Sequence, residues 1–185
     1  DGANAAGCTI STTDITYTLT GDIEPASGIY GITFNSGADR NNVTLTGNIS
    51  TTGYEAYGLL LLSSDNNTTT LTGNITTTGD FFAGGLLYLY DSDSNTTSLT
   101  GNITTTGDNV GGLYLYGSNS NTTTLTGDIS TGSVDGVTGI EAYGLFLSSS
   151  TNNTTTLTGD ISTTGRTAYG LYLYDSDSNT TTLTG

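Results

Sequence analysis

Residues 69–77 read Thr-Thr-Leu-Thr-Gly-Asn-Ile-Thr-Thr, and the alternation within this stretch decides the fold class. Leu71, Gly73 and Ile75 share one parity, while the residues between them are polar. An alternation with a period of two is typical of a β-strand that buries one face. A helix is disfavoured, because β-branched residues resist it and a glycine interrupts the stretch.

The same stretch recurs along the whole chain. The tripeptide Leu-Thr-Gly begins at residues 19, 45, 71, 99, 125, 157 and 183, so the repeat is 26 residues long, with two units of 28 and 32. From Leu59 onward, a second apolar anchor precedes the next Leu-Thr-Gly by 12 residues. The additional residues therefore lie around residues 81–84 and 133–141. Insertions confined to one place in a repeat indicate loops that leave the stacking of units intact.

Each unit has two or three short strands, too few to bury an apolar face, so the units must stack. The sequence therefore predicts an all-β protein, a parallel β-solenoid of about seven rungs, with the right-handed coil that is the general expectation. Residues 1–185 form one array, in which 1–18 are an atypical terminal rung, 19–185 are repeats and 133–141 are a loop insertion.

Three columns are predicted to point inward: Leu45, Leu71, Leu99, Leu125 and Leu157; Ile23, Ile49, Ile75, Ile103, Ile129 and Ile161; and Leu61, Leu89, Leu115, Leu147 and Leu173. The glycine of each Leu-Thr-Gly is expected to let the coil narrow or bend.

Composition excludes several classes of function. The net charge is −15 and the two cations are Arg40 and Arg166, so the chain has no basic patch for nucleic acid. No segment approaches the roughly 20 apolar residues of a transmembrane helix. The single cysteine, Cys8, excludes an internal disulfide and is expected to fill the core at the first rung. An acidic, soluble chain of this kind fits a secreted or cell-surface setting.

Residues 154–173 combine Thr-Thr-Thr-Leu-Thr-Gly with Ala-Tyr-Gly-Leu-Tyr-Leu. Such repeats resemble the β-helical passenger regions of autotransporter adhesins and related bacterial surface proteins, and the resemblance covers nearly the whole chain. It implies a right-handed parallel β-helix, export to the cell surface, and a role in adhesion, aggregation or surface layers. The C-terminal outer-membrane barrel of that family has no counterpart in this sequence.

The outward positions of the second apolar segment predict a contact surface. One column is Leu60, Tyr88, Tyr114, Phe146 and Tyr172, and its neighbour is Leu62, Tyr90, Tyr116, Ser148 and Tyr174. A stripe of this kind would expose several hundred Å², a size that usually marks a contact. We expect it to bind copies of the same chain, or surface proteins or glycans. The alternative is that the rings stack along the sheet and only stabilise it.

Outward threonines form a second regular surface, which includes Thr70, Thr72, Thr100, Thr124, Thr126, Thr156 and Thr158. It resembles the ice-binding face of β-solenoid antifreeze proteins, so ice binding is the alternative function. Two observations weaken it. The columns are predicted to continue into Asn74, Asn102, Asp128 and Asp160, and threonine is a common strand residue on any solvent-facing surface.

Two turns carry carboxylates two residues apart, Asp91 with Asp93 and Asp175 with Asp177, as the first half of a calcium loop does. Calcium is therefore a possible ligand, although no bidentate glutamate follows at the required distance. The turn asparagines, among them Asn95 and Asn121, either form hydrogen-bonded ladders or accept glycans in their Asn-X-Ser/Thr triplets.

No catalytic residues are predicted. Enzymes built on β-helices use paired carboxylates and a base in a groove. This chain has no His and no Lys, and most of its carboxylates lie at repeated turns. A catalytic site should interrupt the repeat once. The two irregular segments contain Glu24 and Asp39, and Asp135 and Glu141, but Asp39 and Asp135 are expected about four rungs apart and cannot readily cooperate. The sequence therefore predicts a protein that is not an enzyme.

Overall fold

The computed structural model describes residues 7–79, 87–132 and 141–185. Over these ranges the chain forms nineteen β-strands and no helix. No helix long and apolar enough to cross a membrane occurs in the same ranges. The predicted insertion around residues 81–84, and residues 133–140 of the insertion at 133–141, lie outside the described residues.

The strands form three parallel sheets, whose members come from successive repeats. The first sheet contains β1 (Cys8–Ile10), β3 (Ile32–Phe34), β6 (Leu59–Leu62), β9 (Leu87–Tyr90), β12 (Val110–Tyr116), β15 (Ala142–Ser148) and β18 (Ala168–Tyr174). The second contains β2 (Thr16–Thr20), β4 (Asn42–Thr46), β7 (Thr68–Thr72), β10 (Thr96–Thr100), β13 (Thr122–Thr126), β16 (Thr154–Thr158) and β19 (Thr180–Thr184). The third contains β5 (Ile49–Thr52), β8 (Ile75–Thr78), β11 (Ile103–Thr106), β14 (Ile129–Gly132) and β17 (Ile161–Thr164).

Equivalent residues of successive repeats pair directly. Leu99 pairs with Leu71 on one side and Leu125 on the other, and Ile103 pairs in the same way with Ile75 and Ile129. The result is the predicted parallel β-solenoid with a repeat of about 26 residues, and it has about six turns where the sequence predicts about seven rungs.

The core is a main apolar cluster that runs through the stack, with a small separate cluster of Val110 and Ala142. The predicted inward columns are buried in the interior rungs, with Leu45, Ile75 and Leu115 exposed by 2% or less. In the last rung Ile161 is only half-buried and Leu173 is 47% exposed, because no further rung covers them. Burying a side chain of this size contributes about 1.5 to 3 kcal/mol. Cys8 pairs with Ile32 and packs against the cluster, so its predicted position in the core is confirmed. Burial raises the pKa of the Cys8 thiol.

The glycine of each Leu-Thr-Gly forms the corner between the second and third sheets. Strand β7 ends at Thr72, β8 begins at Ile75, and Gly73 between them has a φ of +144°. The equivalent Gly101 has a φ of +145°, and a Cβ at this position would collide with the carbonyl oxygen of Gly73 in the rung below. The chain therefore bends at these glycines, as expected, because only glycine tolerates both the backbone conformation and the close approach.

From β3 onward, each turn from the first sheet to the second contains two left-handed residues, whereas the turn after β1 contains one, Asp14. In the turn after β9 these are Asp91 (φ 46°) and Ser94 (φ 57°), and after β12 they are Gly117 (φ 60°) and Ser120 (φ 57°). Asp, Asn, Ser and Gly are the residues that suit such turns, which explains why these four types alternate there.

A ladder of buried asparagines holds these turns together. The Oδ1 of Asn121 accepts a hydrogen bond from the backbone N–H of Asn95 at 2.8 Å, and its Nδ2 donates to the carbonyl of Ser92 at 2.8 Å. The backbone N–H of Asn121 donates in turn to Oδ1 of Asn153. The predicted ladder is thus present, but each amide bonds the backbone of neighbouring rungs. Because these groups are buried, each bond satisfies a backbone atom that would otherwise lack a partner.

Candidate functional site: an aromatic face and a threonine face

The outward side of the first sheet carries a continuous cluster of rings, which we call the aromatic face. Ring centroids follow one another from rung to rung at 5.3, 5.0, 5.1, 4.2 and 5.4 Å. The rings in this sequence are Tyr30, Tyr57, Tyr88, Tyr114, Phe146 and Tyr172. A second column adds Tyr90 stacked on Tyr116, with centroids 5.5 Å apart and planes within 8° of parallel.

The predicted stripe is less exposed than its sequence suggests. Leu60 and Phe146 of the first column are buried, with 6% and 9% of their surface exposed, and so is Ser148 of the second. The half-buried members are Tyr88, Tyr90, Tyr114 and Tyr172. The exposed members are Leu62, Tyr116 and Tyr174. Rings that stack on one another remove much of their own surface from water. The buried members of the stripe therefore stabilise the sheet, while the exposed members are available for contact with a partner.

The alternation rule misses the tyrosines of the Ala-Tyr-Gly-Leu motif. Tyr143 shares parity with the buried Leu145, so it would be predicted inward. Its ring instead contacts Phe146 and Tyr172, with centroids 4.9 and 5.5 Å away. The cause is Gly144, which faces inward against Ile161 and leaves no room for a Cβ. Gly144 and Leu145 are consecutive and both face inward, so the alternation of inward and outward residues shifts by one position before them. In the sequence, the glycine before the leucine is the signal of this shift. Tyr57 and Tyr169 stand at the equivalent positions.

The phenols of the aromatic face are strongly biased toward their neutral form. Burial raises the pKa of Tyr114 to about 12, with the Glu141 carboxylate and the Tyr116 phenol as smaller causes. Burial also raises the pKa of Tyr57 and Tyr88 well above the usual value, with neighbouring phenols and a nearby carboxylate as smaller causes. Burial and the hydrogen bond from its hydroxyl to Glu141 do the same for the pKa of Tyr143. At physiological pH these side chains are therefore neutral hydrogen-bonding groups with apolar ring faces.

A cleft of about 480 Å³ opens in the middle of the aromatic face. Its described lining includes the rings of Tyr57, Tyr88, Tyr114 and Tyr143, together with Glu141 as the one charged side chain among the described residues that line it. The Oε2 of Glu141 accepts a hydrogen bond of 2.7 Å from the Tyr143 hydroxyl. The volume falls within the range of small-molecule sites.

The outward side of the second sheet is the threonine face. Every outward position of its strands is Thr, except Asn42 and Ser98. The predicted residues all lie in this array: Thr70, Thr72, Thr100, Thr124, Thr126, Thr156 and Thr158. Equivalent threonines pair across adjacent strands, which places them about 4.7 to 4.9 Å apart along the stack.

The predicted continuation of the threonine columns into Asn and Asp is wrong. Asn74 and Asn102 lie beyond the corner glycine, where they form a separate exposed ladder. The Oδ1 of Asn74 accepts the backbone N–H of Asn102 at 2.9 Å, and the ladder runs on through Asp128 to Asp160. The positive φ of the glycine turns these side chains onto the corner, so the outward positions of the second sheet carry no charge.

The acidic turns have roles in the fold. Asp91 occupies a left-handed position, and Oδ1 of Asp93 accepts the backbone N–H of Asn119 at 2.6 Å. Asp175 and Asp177 are exposed in the last rung. Within residues 7–79, 87–132 and 141–185, no three His, Cys, Asp or Glu side chains come together in a way that would hold a metal. Calcium at these turns stays a prediction.

The buried asparagines do not suit glycosylation in the folded chain. Asn67, Asn95, Asn121 and Asn153 are each 1% exposed. The amide nitrogens of the last three donate to backbone carbonyls. A glycan on such a nitrogen would replace a buried hydrogen bond, so the ladder interpretation of these triplets is the one that fits the structure.

Comparison of the chain with protein-family models, with curated proteins and with solved structures finds no match in any of the three. The resemblance to autotransporter passenger repeats stays a prediction that rests on the repeats themselves.

Proposed function

We propose that this chain is a non-catalytic structural or adhesive repeat protein of the cell surface or extracellular space, which associates through its aromatic face. The observation that carries the proposal is the uninterrupted run of six rings, joined by five ring contacts, on one side of the solenoid, edged by exposed Leu62, Tyr116 and Tyr174. Aromatic side chains are enriched in protein interfaces, because they bury a large area at a small cost in conformational entropy.

Partners for this face are a second copy of the chain, another surface protein or a glycan. Self-association has to overcome the repulsion between two chains with a net charge of −15 each. Salt screens that repulsion over about 10 Å at 0.1 M, so we expect association to increase with ionic strength. A surface association driven mainly by opposite charges would show the reverse dependence.

The test uses side chains that are exposed and therefore contribute little to stability. Sedimentation and electron microscopy at physiological salt compare the wild type with the double variant Leu62→Ser, Tyr174→Ser. The matched control is Thr70→Ser, Thr158→Ser on the threonine face. We expect fibres or oligomers of the wild type and the control, and a clear loss of association in the aromatic variant. A monomeric wild type, or equal association of both variants, would refute self-association through this face. Dissolution of the assemblies by a calcium chelator would in addition assign calcium to the Asp turns.

The second candidate function is ice binding by the threonine face. The observation that favours it is the absence of charge from the outward positions of the second sheet, where Thr hydroxyl and methyl groups repeat in register over seven strands of the described chain. A regular array of this kind can order water at the spacing of the strands.

Thermal hysteresis and the shape of ice crystals test this candidate. The variant Thr124→Lys places a charge in the centre of the array, and Tyr116→Lys places the same charge on the aromatic face. We expect hysteresis in the wild type and the Tyr116 variant, and its loss in the Thr124 variant. No hysteresis at high protein concentration would dismiss ice binding.

A further inference from the structure

The cleft in the aromatic face lies beside Gly111, where a column of rings is interrupted. In the sequence, the equivalent residue of the preceding repeat, Gly85, is also a glycine. Tyr169 pairs with Tyr143, and Tyr143 pairs with Gly111 in the rung below. A Cβ built on Gly111 meets nothing closer than Cδ2 of Tyr114 at 3.5 Å, which is ordinary contact, and its φ is outside the left-handed region. The glycine is therefore not required by the backbone. Its neighbour Gly112, in contrast, has its Cβ position blocked by Ile129 and by the Gly144 carbonyl.

The walls of the cleft combine ring faces with one negative charge. Tyr57, Tyr88 and Tyr114 supply rings, and Glu141 lies beside them, held by the hydroxyl of Tyr143. The two cations of the chain are not among the described lining residues, and Arg40 already pairs with Asp14 at 2.7 Å. With a net charge of −15, the chain repels anions and attracts cations to this site.

Ring faces carry a negative quadrupole that attracts cations, and a carboxylate at the rim adds a direct charge. Phosphates and carboxylates are disfavoured here for the same reason. Among cations, a primary ammonium is compact and strongly hydrated, so entering an aromatic cleft costs it much of its hydration. A trimethylammonium group spreads its charge over apolar methyl groups, which suits a site that is mostly ring surface.

We propose that the cleft between the rings of Tyr57, Tyr88, Tyr114 and Tyr143, with Glu141 at its edge, binds a quaternary alkylammonium group of the choline type. The inference adds a ligand to the face proposed for association. It does not require association, because the cleft and its rings belong to a single chain.

Calorimetric titration of the monomeric protein with choline at low salt tests the site. The control ligand is 3,3-dimethylbutan-1-ol, which has the same shape without the charge. We expect choline to bind and the neutral analogue to bind at least about tenfold more weakly, since a cation–π site depends on charge. Equal binding of the two, or no binding of choline, would overturn the proposal. A lysine peptide that binds more tightly than choline would overturn the choice of a quaternary ammonium.

Two variants locate the binding. Gly111→Tyr places a ring in the cleft and should abolish choline binding while the thermal unfolding midpoint stays near that of the wild type. Glu141→Gln keeps a hydrogen-bond acceptor for Tyr143 and should weaken binding about fivefold, with a smaller effect at high salt. Choline binding that is unchanged in Gly111→Tyr would place the site elsewhere and refute the inference.

Failure of this proposal and failure of self-association are separable. The variant Leu62→Ser, Tyr174→Ser changes residues outside the described lining of the cleft. It should therefore lose association and keep choline binding, whereas Gly111→Tyr should lose choline binding alone.

Discussion

The aromatic face and the threonine face belong to the same stack and have the same in-register pairing, yet they are built differently. On the aromatic face the sequence of the column changes between repeats, as in Tyr143, Gly111, Gly85 and Tyr57. On the threonine face the outward residue is Thr almost without interruption. The rings bury one another, while the threonines stay mostly exposed. The inward columns and the corner glycines therefore specify the solenoid. The outward residues do not take part in this, so the two outward surfaces can differ.

The largest expected effect comes from the glycines that both faces depend on. Gly101→Ala forces a Cβ into the carbonyl of Gly73 at a φ of +145°. Backbone strain of about 1 to 3 kcal/mol and a steric cost of similar size should lower the free energy of unfolding by about 4 kcal/mol. Urea unfolding followed by circular dichroism measures the loss.

Gly111→Ala is the matched control, because its Cβ would make only ordinary contacts. Its free energy of unfolding should stay within about 0.5 kcal/mol of the wild type. If both glycine variants were equally stable, the corner would not depend on glycine, and the contrast between required and unrequired glycines would be lost.

The second effect concerns the ladder in the turns that join the two sheets. Asn121→Ala leaves the N–H of Asn95 and the carbonyl of Ser92 buried without this partner. Unsatisfied buried groups cost about 1 to 3 kcal/mol each, so we expect a loss of about 3 kcal/mol in the free energy of unfolding.

The comparison variant is Asn102→Ala in the exposed corner ladder, where its Oδ1 accepts only the N–H of Asp128. Water replaces that bond, so the loss should be below about 1 kcal/mol. If Asn102→Ala and Asn121→Ala lowered the free energy of unfolding equally, burial would not determine how much a ladder hydrogen bond contributes to stability.

Much of this fold could be predicted from the sequence, because two independent periods agree. The repeat of 26 residues gives the register, and the alternation around Leu71 gives the inward columns. Together they placed Leu45, Ile75 and Leu115 in the core and Cys8 at the first rung.

The candidate sites could be predicted only in part, because alternation fails where a glycine allows the chain to turn. Gly73 moves Asn74 off the threonine face, and Gly144 moves Tyr143 onto the aromatic face. The cleft at Gly111 lies where a column of rings is interrupted, which a rule for single strands cannot detect. Mutual burial of rings across rungs also depends on side-chain packing that spacing alone does not define.

The third effect is a difference in stability between ring and threonine variants of the same rung. Tyr114 stacks on Phe146 at 4.2 Å and contacts Tyr88 at 5.1 Å. Tyr114→Ala removes these contacts and should lower the free energy of unfolding by about 2 kcal/mol. Thr124→Ala on the threonine face should change it by less than about 0.5 kcal/mol. Tyr114→Phe, which keeps the ring, serves as the control and should stay close to the wild type. Equal losses for Tyr114→Ala and Thr124→Ala would remove the energetic difference between the faces.

The fourth effect is a loss of stability in alkali that belongs to the aromatic face. The phenols of the unfolded chain lose their protons near pH 10, whereas the pKa of Tyr114 in the folded chain is raised to about 12. A group with a raised pKa in the folded state contributes stability that is complete below the unfolded value and is lost as pH rises toward the folded value. The free energy of unfolding should therefore decrease between about pH 10 and pH 12.

Urea titrations at several pH values measure this decrease, and Tyr114→Phe should reduce its slope. The difference between this variant and the wild type separates Tyr114 from Cys8, whose pKa is also raised by burial. A free energy of unfolding that stays constant over the window would contradict the burial of the phenols.

The smallest effect distinguishes the two sides of the threonine-rich sheet. Thr69 points inward, is 1% exposed, and its hydroxyl has no hydrogen-bond partner among the described residues. The rung below has Val43 at the paired position, so the core accepts a methyl group there. Thr69→Val removes a buried polar atom that makes no hydrogen bond, and should raise the free energy of unfolding by about 1 kcal/mol.

The adjacent Thr70 points outward, so Thr70→Val should leave the free energy of unfolding within about 0.5 kcal/mol of the wild type. Urea unfolding of both variants under the same conditions gives the comparison. If Thr69→Val were destabilising, the inner hydroxyl would have a partner that maintains it, and inner and outer threonines would both serve as polar groups. If Thr69→Val is stabilising, the inward hydroxyl of the threonine repeat destabilises the fold, and only the hydroxyls of the outer face can have a function.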